Sequence, residues 1–230
     1  MQQRGFLVIS DITGYTAYLT GTEQLHAEEI LQDLFRVLLE HTTPPLVVNK
    51  LEGDAILSYA PAVSFSEGQS LLESIENTYL KFRLLRENIH RHTSCECRAC
   101  ANIENLDPKF FVHYGDFSLL EIGNREELSG PNVILIHRLL KNELRMRAYG
   151  LYTAAAVEAL GLQEYFDARM ATHVEQYDHL GKVDCYVQDM SELWAAHQGH
   201  RRVYVDGSDP QASMPWKRLS RPRRARCGST

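Results

Sequence analysis

The sequence predicts an α+β sandwich, a mainly antiparallel sheet with helices packed on it, and three observations carry that prediction. Residues Phe6 to Ser10 (FLVIS) form an almost continuous apolar run, the pattern of a central strand covered on both faces. Two longer segments, over 22–40 and 67–90, space their apolar residues three and four positions apart, the period of a helix with one buried face. Between them, two β-prone runs are joined by a short acidic tip, which is a hairpin signal. Helices alternating with hairpin-linked strands favour an antiparallel sheet over a doubly wound parallel one.

Each element follows in order. The first strand runs into Asp11-Ile12-Thr13-Gly14 and so delivers Asp11 at its C-terminal end. The helix over 22–40 carries Leu25, Ile30, Leu31, Leu34, Phe35 and Leu38, and Pro44-Pro45 stops it because proline lacks the amide donor a continuing helix needs. Leu46 to Lys50 and Ala55 to Tyr59 pair through Leu51-Glu52-Gly53-Asp54, whose tip is expected near the end of the first strand. The second helix carries Leu71, Leu72, Ile75, Tyr79, Phe82 and Leu85 and runs into a cysteine-rich segment. Lys109 to His113 and Leu119 to Ile122 read as strands flanking Gly115-Asp116, and Asn132 to Leu144 as a helix with Val133, Ile136, Leu139 and Leu140 inward. Tyr152 to Leu160 reads as a further helix, and Met170 to Tyr177 with Val183 to Val187 as a closing strand pair around Leu180-Gly181. The domain is expected to occupy 1–198, with a C-terminal extension over 199–230 in which 200–205 is open between an added strand and a free segment.

Composition narrows the class. A chain of 230 residues can bury enough apolar surface to be stable without disulfides or an obligatory metal. No run approaches the ~20 apolar residues of a membrane span, and the N-terminus leads into a strand and not a signal peptide, so a cytoplasmic protein is expected. The five cysteines are odd in number, and three of them crowd together, unlike a secreted disulfide framework. The net charge of −6 is split: the last fifteen residues hold six basic and no acidic side chains, which leaves residues 1–215 at −12. So acidic a body does not fit nucleic acid, while the tail reads as a solvated segment or one that touches an anionic surface.

Asp11 after a buried strand and Asp54 in the hairpin tip are the two acids most suited to converge. With a backbone carbonyl such as that of Ile12, they supply the hard oxygen donors that Mg²⁺ or Mn²⁺ takes beside nucleotide phosphates. Strand-end aspartates also cap turns, so both readings stand on spacing alone. His113, Lys50 and Arg138 have plain alternatives too: a packed core histidine, a surface strand residue and an exposed helix residue.

Four landmarks in order, FLVISDITGYT (Phe6 to Thr16), KLEGDA (Lys50 to Ala55), VHYG (Val112 to Gly115) and SGPNV (Ser129 to Val133) leading to Arg138, resemble the catalytic domain of class III nucleotidyl cyclases. The cysteine cluster and the run His137 to Asn142 resemble the DUF2652 branch of that fold more closely still. The resemblance spans about residues 5–190 and implies head-to-tail homodimers with nucleoside triphosphate sites built by both chains. It implies that Asp11, Asp54 and the Ile12 carbonyl bind Mg²⁺ or Mn²⁺, that Lys50 and a second residue near Glu127 read the base, and that Arg138 neutralises transition-state charge. The sequence departs from the pattern at Ile134, where the family has a ribose-orienting asparagine, and around Asp178 to Gly181, where its phosphate-binding lysine has no counterpart nearer than Lys182. The two functional expectations are therefore a divergent cyclase forming cyclic AMP from ATP and a catalytically degenerate nucleotide-binding or dimerisation module.

His90, His92, Cys95, Cys97 and Cys100 add a second candidate site, since thiolate and imidazole are the ligands zinc prefers. A structural Zn²⁺ pinning the end of the second helix is one reading. A reduced thiol cluster and a redox-active disulfide are the others. Cys185 reads as a core residue, and Cys227 has no evident partner.

Overall fold

Period-two alternation sends the two faces of one sheet into two different cores, and that division decides where Asp11 points. The computed structural model describes residues 2–61 and 69–205; the basic tail and Cys227 lie outside the described residues. In chain order the elements are β1 (Gln2–Thr13), α1 (Tyr15–Gly21), α2 (Gln24–Thr42), β2 (Val47–Glu52), β3 (Ala55–Pro61), α3 (Gln69–His92), α4 (Arg98–Asn102), β4 (Asp107–Ile122), β5 (Arg125–Ser129), α5 (Pro131–Leu139), β6 (Tyr149–Thr153), α6 (Ala154–Leu160), α7 (Gln163–Arg169), β7 (Ala171–Tyr177), β8 (Gly181–Asp189) and α8 (Met190–Val205). The sheet order is β2-β3-β1-β4-β6-β8-β7, with β5 paired to β4. Every pair is antiparallel except β4 with β6.

Phe6, Val8 and Ile12 of β1 face a core shared with Leu34 and Leu38 of α2 and Tyr79 of α3. Leu7 and Ile9 face the opposite core, which α5 closes with Val133, Ile136 and Leu139. Helices thus crowd one face while α5 lies on the other. Each of these fully buried side chains contributes about 1.5–3 kcal/mol, and a one-residue slip of β1 would exchange the two sets, so the register is firmly fixed. Asp11 follows Leu7 and Ile9 in the alternation and therefore belongs to the α5 face, opposite Ala55 on β3 and Lys109 on β4.

Several expectations are corrected by side-chain chemistry that the apolar pattern does not carry. Gly115 is not a turn between two strands; β4 runs through it unbroken, and a Cβ there would lie 2.5 Å from the Asn132 amide. The glycine makes room for Asn132, which donates to the Asp116 carbonyl (2.8 Å) and pairs with His113 Nε2 (2.9 Å). The helix from Pro131 stops at Leu139, well before Leu144, because the Asn142 side chain takes up the Leu139 carbonyl (2.7 Å) and the Leu144 amide (2.9 Å). Tyr149–Thr153 is a strand preceding its helix, since Thr153 Oγ1 caps the Ala156 amide (3.2 Å) and so starts α6 at Ala154. Neither α7 nor α8 was expected, and 200–205 is the end of α8 and not a strand. Among the described residues, no helix is long and apolar enough to cross a membrane.

His113 is the packed core histidine of the plainer reading. It is buried, it bridges Thr153 Oγ1 (2.9 Å) and Asn132, and burial holds its pKa below the ordinary value, so it is neutral at pH 7.

Candidate active site

Asp11 and Asp54 do converge. Asp11 pairs with Ala55 across β1 and β3, which sets it beside the Gly53-Asp54 turn that closes the β2–β3 hairpin, and the two carboxyls come within hydrogen-bonding reach. Gly53 takes φ +66° there, a conformation glycine adopts without penalty. Burial first, then the Asp54 charge and hydrogen bond, raise the Asp11 pKa to about 6 against the opposing pull of Lys109. Lys109 itself reaches over the Tyr149 ring (5.4 Å). Two part-buried carboxylates that repel each other form a donor set suited to a hard divalent cation, whose charge would relieve that repulsion. Ile12 is buried in the helix-side core, so only its backbone is available to a ligand.

The raised pKa has a testable consequence for stability. Below pH 3.8 Asp11 is protonated folded or unfolded; between about 4 and 6 only the unfolded chain releases its proton, so folding loses stability as pH rises. Asp11→Asn removes that loss. At pH 7.5 we expect the variant to be more stable by about 1–3 kcal/mol, a melting temperature several degrees higher, with the gain vanishing near pH 3.5. Thermal melts across pH measure this, and a variant no more stable at pH 7.5 than the parent would contradict the coupled pair.

A second constellation forms on the same side. The β4–β5 arm comes back to β2, so that Asn49 Nδ2 donates to the Glu126 carbonyl (3.0 Å) and Tyr59 Oη to Glu126 Oε1 (3.0 Å). Lys50 Nζ thereby meets Glu127 Oε2 at 3.0 Å and Glu52 Oε1 at 2.9 Å, and its pKa is raised by both carboxylates. His137 Nδ1 on α5 lies 3.5 Å from Glu52 Oε2, next to Arg138, whose exposed guanidinium makes no side-chain hydrogen bond or carboxylate ion pair among the described residues, though its charge reaches Tyr177 of β7. Sequence reasoning missed Lys109 beside Asp11, and Glu52 and His137 beside Lys50. The hairpin register held the signal for Glu52, which shares β2 and a face with Lys50. Ile134 is exposed, and Lys182 is paired with Asp184 (2.7 Å) on β8.

The cysteine site has a different fourth member from the one expected. Cys95, Cys97 and Cys100 gather around His26 of α2, with all four potential ligand atoms within 4.8 Å of one another. His90 and His92 stay outside, because α3 continues through both: His92 Nδ1 bonds back to the Asn88 carbonyl (3.0 Å), and His90 Nε2 lies 3.7 Å from Glu104. None of the four described cysteines is in a disulfide. Cys185 is a buried strand residue, as expected.

Comparison with known proteins meets this geometry from outside. Residues 31–149, more than half of the chain, match the family described as "Protein of unknown function (DUF2652)". The chain belongs to the DUF2652 family. The matched span holds Asp54, Arg138 and the cysteine cluster, while Asp11 precedes it. A curated relative, "Uncharacterized protein Rv2561/Rv2562" of Mycobacterium tuberculosis, is 30% identical over 142 residues; the match covers 62% of this DUF2652 chain and 65%, just under two thirds, of the relative. Among solved structures, a bacterial light-regulated adenylyl cyclase superposes with a TM-score of 0.60 at 13% identity, covering 85% of this chain and 98% of that one. The catalytic core of a rhodopsin-guanylyl cyclase with converted specificity, in complex with ATPαS, superposes with a TM-score of 0.57 at 16% identity, covering 81% and 96%. At such identities the likeness shows the fold, and that fold is the one shared by adenylyl and guanylyl cyclase domains.

Proposed function

We propose that the protein is a divergent nucleotidyl cyclase that converts ATP to cyclic AMP and pyrophosphate at sites shared between two head-to-tail protomers. The observation that carries this reading is the Asp11–Asp54 pair, with Asp11 raised to about 6, beside the preformed Lys50–Glu127 pair. In the reaction the ribose 3′-oxygen bonds to the α-phosphorus, the bond from that phosphorus to the bridging oxygen breaks, and pyrophosphate leaves with the hydroxyl proton passing to solvent. Asp11, Asp54 and the Ile12 carbonyl would hold Mg²⁺ or Mn²⁺, which when bound would supply Lewis-acid activation of the hydroxyl and charge neutralisation on the phosphates.

The chain's own groups do the rest. Lys50 donates to the N1 acceptor of adenine and Glu127 accepts from its N6 amine, the partners they hold for each other at 3.0 Å before substrate arrives. Arg138, exposed and committed to no carboxylate among the described residues, offers its planar guanidinium to the charge that builds on the phosphoryl oxygens. The exposed apolar side chains Leu51, Leu120, Ile122 and Ile134 border this region and suit contact with a second protomer.

Ile134 favours a second reading. An apolar side chain where a ribose-positioning amide would stand removes a hydrogen bond worth roughly 100-fold in rate by comparison with other preorganised donors, and a pure nucleotide-binding module would tolerate that loss. The deciding experiment incubates the purified protein with Mn²⁺ and each of the four nucleoside triphosphates. Cyclic AMP and pyrophosphate in equal amounts support the cyclase; nucleotide-dependent stabilisation without product selects the binding module. Neither product nor stabilisation with any nucleotide would overturn both.

A further inference from the structure

We infer that His26, Cys95, Cys97 and Cys100 form a structural Cys₃His zinc site that fastens the loop after α3 onto the first turn of α2. The four ligand atoms lie within 4.8 Å of one another, a spacing that suits a tetrahedral ligand set. His26 Nδ1 lies 3.0 Å from Cys97 Sγ, 3.6 Å from Cys100 Sγ and 3.8 Å from Cys95 Sγ. A zinc ion with Zn–S of about 2.3 Å and Zn–N of about 2.0 Å requires ligand edges of about 3.5–3.8 Å. Small shifts of the Cys97 and His26 side chains therefore close the site.

The surrounding backbone is already arranged for it. Cys97 caps α4, and its sulfur accepts from the Cys100 amide (3.5 Å), so the Cys97–Cys100 turn presents both sulfurs to one side. Cys100 Sγ also touches Thr93 Oγ1 (3.4 Å). All four positions are filled by protein atoms, three of them sulfur, which leaves no open position for a reacting water and assigns a structural role. Soft thiolates select zinc over the hard cations suited to Asp11 and Asp54, so the two sites do not compete for metal.

The site lies where a staple changes the rest of the fold. Besides burying Ala99 and Cys100 in the helix-side core, the short α4 is held by polar contacts at its edge: Glu23 accepts from the Ala99 amide (3.1 Å) and from Arg98 (3.3 Å), and Tyr18 Oη of α1 donates to the Ala99 carbonyl (3.0 Å). Zinc ties α4 to α2, and through Tyr18 to α1, the helix that follows the Asp11 strand.

The test is metal content of the full chain purified under reducing conditions without chelator. We expect one zinc per chain, at least a tenfold loss of bound zinc in His26→Ala and Cys97→Ser, and full retention in His90→Ala and His92→Ala. Because a ligand variant can fail to fold, the parent protein gives an independent readout: Co²⁺ added to zinc-stripped chain should produce thiolate charge-transfer absorption and the strong visible bands of tetrahedral cobalt. Metal-free protein that gives no such spectrum overturns the site. Zinc retained in His26→Ala but lost in His92→Ala overturns the ligand assignment.

Discussion

On the proposed function, Asp54→Ala is expected to lower cyclic AMP formation by at least 100-fold and to abolish stabilisation by Mn²⁺ with ATP, while the chain still folds. The side chain sits at a hairpin tip at the edge of the packed core, so its removal opens no large cavity, and deleting it relieves the charge repulsion that raises Asp11. What would be lost is one of the two carboxylates proposed to hold the divalent cation; removing a preorganised electrostatic group from an active site costs about 10²–10³ in turnover. Arg138→Ala should be equally damaging to turnover and more neutral to stability, within about 0.5 kcal/mol, since the guanidinium is exposed and makes no carboxylate ion pair among the described residues. Product assays and melting curves on the same preparations separate the two effects. An Asp54 variant with unchanged turnover would remove the carboxylate pair from the chemistry.

The largest structural effect is expected at Asp107. This buried carboxylate at the start of β4 accepts from Arg83 (3.0 Å) and Arg86 (2.8 Å) of α3, and Arg86 also donates to the Leu106 carbonyl (2.7 Å). Arg83 stacks over Trp194 of α8 (5.1 Å), so one acid ties α3, β4 and α8 together. Burial lowers the Arg86 pKa against the opposing attraction of Asp107, which shows how strongly that charge depends on its partner. Asp107→Ala leaves the buried Arg86 and the part-buried Arg83 without their carboxylate and should destabilise the fold by about 3–5 kcal/mol, whereas replacing Asp107 and Arg86 together by apolar residues of similar size should cost much less. Chemical denaturation of the single and double variants measures the difference. A single variant costing under about 1 kcal/mol would contradict a network of this strength.

The fold and the site were legible in the sequence to different depths. Continuous apolar runs located β1 and β3, which are buried on both faces, and helical period located α2 and α3, which each bury one continuous face. The apolar pattern failed where a polar side chain overrides it: Asn132 seats itself on Gly115 inside one long strand, Asn142 ends α5 early, and Thr153 divides a strand from a helix. The Asp11–Asp54 convergence was readable because both lie at ends of adjacent strands, so the hairpin register brings them together. His26 was not readable, since it lies some seventy residues from the cysteines and is supplied by tertiary packing of the loop on α2; only the need of three thiols for a fourth ligand pointed to a missing partner. The neighbouring histidines His90 and His92 drew the eye by proximity in sequence, and the continuation of α3 turns them elsewhere.

The shared-site cyclase is tested most directly by mixed dimers. Asp54→Ala and Arg138→Ala chains carrying different affinity tags are produced together, and the species bearing both tags is isolated. In the proposed head-to-tail dimer each site would take its carboxylates from one protomer and its arginine from the other, so the mixed species would have one doubly damaged site and one intact site. The prediction is cyclic AMP formation at about half the parent dimer's rate from two variants that are each nearly silent alone. A mixed dimer as silent as its components, beside an active parent, would contradict sites shared between protomers.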